Sequence, residues 1–146
     1  MDGNIILRRA DLAAQHGWVM GRGLLIWLLI MLVETIHGVL RAALLAPRIG
    51  AAAADRLGWP VAAMLVLVVA TLAARWIGLG LTGQLLRLGA AWAVLTVGFE
   101  IIIGLLRGLD MPALLDALNP LTGNVAWSAA LMCLAPLLAA RLRGLR

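Results

Sequence analysis

Four apolar runs of about 20 residues each dominate the chain, and a run of that length matches the thickness of a bilayer's hydrocarbon core. They cover roughly 23–45, 59–77, 85–107 and 123–142. The residues are 64% hydrophobic and 13% charged, against roughly 45–50% and 25% in soluble domains. The fold class that follows is all-α: an integral membrane four-helix bundle, since backbone polar groups in lipid must be satisfied within each helix. Pro47 ends the first run, Pro60 falls in the first turn of the second, where proline is tolerated, and Pro136 should kink the fourth.

Residues 1–22 are mixed. Arg8, Asp11, Gln15 and Arg22 share one side of a helical wheel, with Ile6, Leu7, Ala10, Ala13 and Ala14 opposite. This reads either as an amphipathic interfacial leader with Trp18 at headgroup level or as a leader helix continuous with the first span. Gly78, Gly80 and Gly83 make a short turn between the second and third spans. In the 108–122 link, Asp110 and Pro112 open a short surface helix, Ala113–Leu118, which Asn119-Pro120 stops. No cleavable signal is read, because the first run starts at Gly23 and lacks a small-residue cleavage site. Cys133 is the one cysteine, so no intrachain disulfide forms.

Within the first span lies Glu34-Thr35-Ile36-His37-Gly38-Val39-Leu40-Arg41. Glu34 and Arg41 fall nearly on one helix face, about 10 Å apart along the axis, with His37 between them. Sixty-six residues on, Glu100-Ile101-Ile102-Ile103-Gly104-Leu105-Leu106-Arg107 repeats the Glu-x-x-x-Gly-x-x-Arg frame. Glu34 and Glu100 are the only glutamates. Leu72-Ala73-Ala74-Arg75 likewise matches Leu138-Ala139-Ala140-Arg141 at the same offset. The chain therefore reads as two tandem helical hairpins, 23–80 and 81–146, entering the membrane in the same direction. Such repeats are expected about an axis along the membrane normal. That relation would put Glu34 and Glu100 at similar depth.

Charged groups at bilayer depth are costly and face partners or wet cavities. Gly38 and Gly104 are expected to let helix backbones approach. One reading of the motif is structural: the glutamates hydrogen-bond across the bundle and Arg41 and Arg107 reach for headgroups. The other is a coupling site. Low dielectric favours a neutral carboxyl group and a nearby guanidinium favours the charged one, so a glutamate held between the two can exchange a proton for a cation. Glu34, His37, Arg41, Glu100 and Arg107 are then the coupling residues. Glu34-x-x-His37 is also a metal pairing of helical bundles, but Ile103 replaces histidine in the second copy and Arg41 would repel a cation. No metal site or cofactor is expected. No nucleophile–base pair or phosphate loop is present, and no enzyme is read.

A four-helix chain with Glu34 in its first span resembles the small multidrug resistance transporters. That resemblance implies proton exchange at the first-span glutamate. The Glu34-Thr35-x-His37-Gly38-x-x-Arg41 stretch with four spans also resembles small bacterial four-helix membrane proteins, which implies no activity by itself.

The net charge of +5 fits anionic lipid headgroups and not nucleic acid. Four spans leave little room for a pathway inside one protomer, so a homo-oligomer or a subunit of a larger membrane complex is expected. All 12 basic residues are arginine. Eight fall on the side holding both termini and four on the other. The bias places both termini in the cytoplasm of a bacterial inner membrane. Reporter fusions at Arg146 and within the 108–122 link are expected to report opposite compartments, with Arg146 cytoplasmic. Matching signals would overturn the span count.

Overall fold

A computed structural model describes residues 3–78 and 82–145, with side chains from residue 17 onward. Helices are α1 (Gly3–Leu40), a π-helical turn (Arg41–Leu45), α2 (Ala46–Ile49), α3 (Ala51–Ile77), α4 (Thr82–Leu106), α5 (Met111–Leu118) and α6 (Val125–Leu142). No strand occurs among the described residues. Four segments are long and apolar enough to cross a membrane: Gly17–Ile49, Ala51–Ile77, Thr82–Leu106 and Val125–Leu142.

The leader is not a separate element. α1 runs unbroken from Gly3 through residue 22 into the first span, as the continuous alternative has it. Glycines 17, 21 and 23 weaken a helix but do not stop it, and no proline intervenes. The helix also passes the expected stop at Pro47. The Ala46 N–H reaches back five residues to the Arg41 carbonyl, and this wide turn lets Pro47 start α2, where its missing N–H costs nothing. The break falls at Gly50, whose φ of 85° suits a residue without Cβ. α3 then begins at Ala51 and not at 59, because Ala51–Ala54 are strong helix formers. Pro60 is consequently inside α3, where it lacks the N–H that would bond the Arg56 carbonyl.

The other ends follow local chemistry. Gly108 closes α4 in a Schellman turn: its N–H donates to the Leu105 carbonyl at 2.9 Å and the Leu109 N–H to Gly104 at 3.0 Å. The Asp110 side chain caps α5 by accepting from the Ala113 N–H at 3.0 Å. The expected short helix is thus present, two residues longer at its start.

Going round the bundle, the order of neighbours is α1, α3, α6, α4 and back to α1. The α1–α4 seam is the sparsest and α4–α6 the most extensive. Two indoles cross the seam. Trp27 Nε1 donates to Thr96 Oγ1 at 3.1 Å, and Trp92 Nε1 to the Gly23 carbonyl at 3.0 Å. Residues 23 and 27 of α1 meet 92 and 96 of α4, so the two helices run parallel. A two-fold axis along the bundle would set repeated spans diagonally. Here α1 lies beside α4 and α3 beside α6, so the hairpins sit side by side and that expected symmetry is absent. Trp92, Leu88, Ile30, Ala70, Ala74, Met132 and Ala139 form the core, all packed toward the end where α3 and α6 finish.

α4 approaches α6 closely at Gly89, where a Cβ would run into the backbone carbonyl of Cys133. Gly98 on the same helix has nothing within 4 Å. Gly89→Ala is expected to lower the midpoint of thermal unfolding in detergent, since overpacking against backbone costs roughly 1–3 kcal/mol. Gly98→Ala should leave it unchanged or raise it, helix propensity gaining about 0.5–1 kcal/mol. Equal midpoints for the two variants would contradict this packing.

Candidate functional site

Beyond the indole seam, α1 and α4 part and a cavity of about 520 Å³ opens between the spans. Glu34, His37, Gly38 and Arg41 reach it from the first span and its π turn, and Glu100 and Arg107 from α4 and the residue after it. The helical period explains this convergence. Residues at i, i+3 and i+7 share a face, and that face of α1 looks across at its counterpart on α4. All five charged or titratable residues singled out by the repeated motif therefore line one space.

Their partners differ. His37 Nδ1 lies 3.8 Å from Glu34 Oε2, one helical turn apart. The other oxygen, Glu34 Oε1, is buried with no hydrogen-bond partner. A buried polar atom left unpaired costs roughly 1–3 kcal/mol, so an oxygen in this state at a cavity wall is available to a ligand. The Thr35 hydroxyl turns away to its own helix, donating to the Met31 carbonyl at 2.7 Å. Among the described residues no three His, Cys, Asp or Glu side chains gather at one point.

Arg41 is ion-paired with Asp55 of α3. Its aliphatic stem lies over Gly58, where a Cβ would collide with the arginine Cδ. Asp55, Gly58 and Trp59 all line the cavity, and the residue pattern around the Glu motif does not include them. The signal was available: folding the chain back at a turn near Gly50 brings 55–59 alongside 37–41. Asp55 instead reads as loop when the second span is started at 59.

The two motif glycines do not join the first and third spans. Gly38 lines the cavity with nothing within 4 Å of a Cβ. Gly104 is buried, but against Leu114 and Leu109 of the link, so it seats α5. The tight helix contacts expected of them are made by Gly23, over Leu88, and by Gly89.

Five of the six tryptophans divide into three groups. Trp27 and Trp92 are core pins, as packing residues inside spans. Trp18 and Trp76 are exposed and hold the Arg22 guanidinium between them, 5.4 Å and 5.3 Å from the ring centroids, while Arg22 donates to the Trp76 carbonyl at 2.8 Å. Trp127 sits near the start of α6, exposed, and donates to the Pro120 carbonyl at 2.8 Å, fastening the link. Comparison with protein-family models, with characterised proteins and with solved structures finds no match.

Arg41 and Asp55 are 30% and 55% exposed, which places their coupling in the range of solvent-screened pairs. A double-mutant cycle with Arg41→Gln and Asp55→Asn, read by thermal unfolding, should give a coupling of about 0.2–1 kcal/mol. A value near zero would mean that the pair contributes nothing to stability.

Proposed function

We propose that the protein is a small polytopic protein of the bacterial inner membrane, with both termini cytoplasmic, that moves a cation in exchange for protons through Glu34 and Glu100. One observation carries this reading. The only two glutamates of the chain, 66 residues apart, line one cavity among apolar helices, and one oxygen of Glu34 there is buried without a partner. Intramembrane carboxylates mark ion and proton pathways because their burial cost must be repaid by a function or a partner. Glu34 is the principal coupling group, with His37 one turn away. Glu100 shares the cavity with Ile103 in the histidine position. Arg41 and Arg107 close the charged array at the other end.

The second reading is a non-transporting accessory subunit of a larger membrane complex, in which the same residues act as polar clamps. The Arg41–Asp55 pair and the Glu34–His37 contact favour it, since each satisfies a polar side chain within the chain. An accessory subunit should co-purify in fixed ratio with a larger complex in mild detergent, whereas a transporter should purify as a homo-oligomer.

Glu34→Gln keeps the shape and removes the titrating proton. In reconstituted vesicles, wild-type protein is expected to show proton-linked flux with amines and inorganic cations. Glu34→Gln should assemble normally and lose that flux. Normal assembly with unchanged flux would leave the clamp reading, as would absence of flux in the wild type. Failed assembly would mean that the Glu34 charge is itself paired in the bundle.

A further inference from the structure

The cavity carries both signs of charge, and they are segregated along its length. At its closed end, near Thr96 and Met31, lie Glu34 and Glu100. Seven residues further along the same helices lie Arg41 and Arg107, about 10 Å away at 1.5 Å per residue. Asp55 neutralises Arg41, and Gly58 seats its stem. Arg107 also lines the cavity and makes no ion pair among the described residues. Asn124, the residue before α6, and Ser128 of its first turn line the cavity as well. The Asn124 side chain makes no capping bond to its helix, which leaves its amide free.

After the Arg41–Asp55 pair cancels, two carboxyl groups remain at one end and one guanidinium with two neutral hydrogen-bonding side chains at the other. A simple cation bound at the glutamates leaves Arg107, exposed at the cavity's other end, without a carboxylate partner among the described residues. A simple anion at Arg107 meets two glutamates at the far end. A ligand with an ammonium at one end and an acidic group at the other engages both poles at once. The volume of about 520 Å³ is that of an organic small-molecule site, in the range of roughly 300–1,000 Å³, and exceeds what a bare ion needs.

We propose that this cavity binds a zwitterion, its ammonium between Glu34 and Glu100 and its carboxylate or phosphate at Arg107 with Asn124 and Ser128. This rests on the reading of Glu34 and Glu100 as the cation-coupling carboxylates. A free amino acid and a zwitterionic lipid headgroup share this chemistry, and the test below separates them.

The protein in phosphatidylglycerol nanodiscs is titrated calorimetrically with glycine, 4-aminobutyrate and 6-aminohexanoate, and with butylamine and butyrate as single-charge probes. For a free amino acid, at least one of the three is expected to bind about tenfold or more tightly than either single-charge probe, the loss of one charge-assisted hydrogen bond being worth that much. Arg107→Gln should abolish that advantage over butylamine, and Asn124→Ala should reduce it. For a lipid headgroup, the amino acids show no advantage, but adding phosphatidylethanolamine to the discs raises the unfolding midpoint of the wild type and not of Arg107→Gln. Butylamine binding as tightly as every zwitterion, with no Arg107-dependent effect of phosphatidylethanolamine, would overturn the zwitterion and keep the cation site. No binding by any amine, with no lipid effect, would overturn both.

Discussion

Two indole hydrogen bonds decide where this bundle is closed and where it is open. Trp27 and Trp92 lie on neighbouring parallel helices, and each finds its acceptor on the other, Thr96 and Gly23. A buried indole N–H without a partner is costly in an apolar bundle, so the two bonds fix both the register and the separation of α1 and α4. Trp92 is fully buried, and the Trp27 ring meets Phe99 edge-on at 6.4 Å. Beyond these rings the cavity opens between the helices. The cavity begins at Thr96, where the second bond ends. Glu34 and Glu100 therefore sit just past the last rung, at the bottom of a cleft instead of within a packed core.

At the opposite end the anchoring is of another kind. The Arg22 guanidinium lies between the Trp18 and Trp76 rings and ties α1 to the end of α3. Arg143 Nε donates to the Thr71 carbonyl at 2.9 Å and ties α6 to α3. Arginine suits both places, because its flat, weakly hydrated group stacks on aromatic faces and still donates. These ties and the small residues Ala70, Ala74, Ala135, Ala139 and Gly89 make one half of the bundle tight. A tight half and an open half are what a cavity reachable from one end requires.

Much of this was legible in the residues. The four spans, the Asp110 cap, the short helix in the link and the membership of Glu34, His37, Arg41, Glu100 and Arg107 in one face all follow from period and spacing. What escaped was set by pairs of residues far apart in sequence. The Trp27–Thr96 bond depends on two helices meeting at a given register, and neither residue signals its partner. Asp55 was hidden for a different reason. Residues 51–58 mix alanine with two charges, which reads as interface, while their helix propensity carries α3 back to Gly50. Glycine spacing misled at Gly38, because Gly-x-x-x patterns identify small surfaces and not what lies opposite them.

The sharpest consequence of the fold concerns how the two hairpins differ. At the 66-residue offset that aligns Glu34 with Glu100, Asp55 corresponds to Leu121 and Gly58 to Asn124. The first hairpin turns at Gly50 and resumes as helix at Ala51, so Arg41 gains a carboxylate in Asp55 and a glycine seat in Gly58. The second breaks into the link. Leu121 is 91% exposed there, and Arg107 gains neither. His37 has its counterpart in Ile103, so Glu100 lacks the imidazole that contacts Glu34. The first motif is thus satisfied at Arg41 and unsatisfied at one Glu34 oxygen, while the second leaves Arg107 without an ion pair among the described residues. Leu121 and Asn124 stand where Asp55 and Gly58 do at that offset, which leaves Arg107 without the carboxylate that Arg41 has.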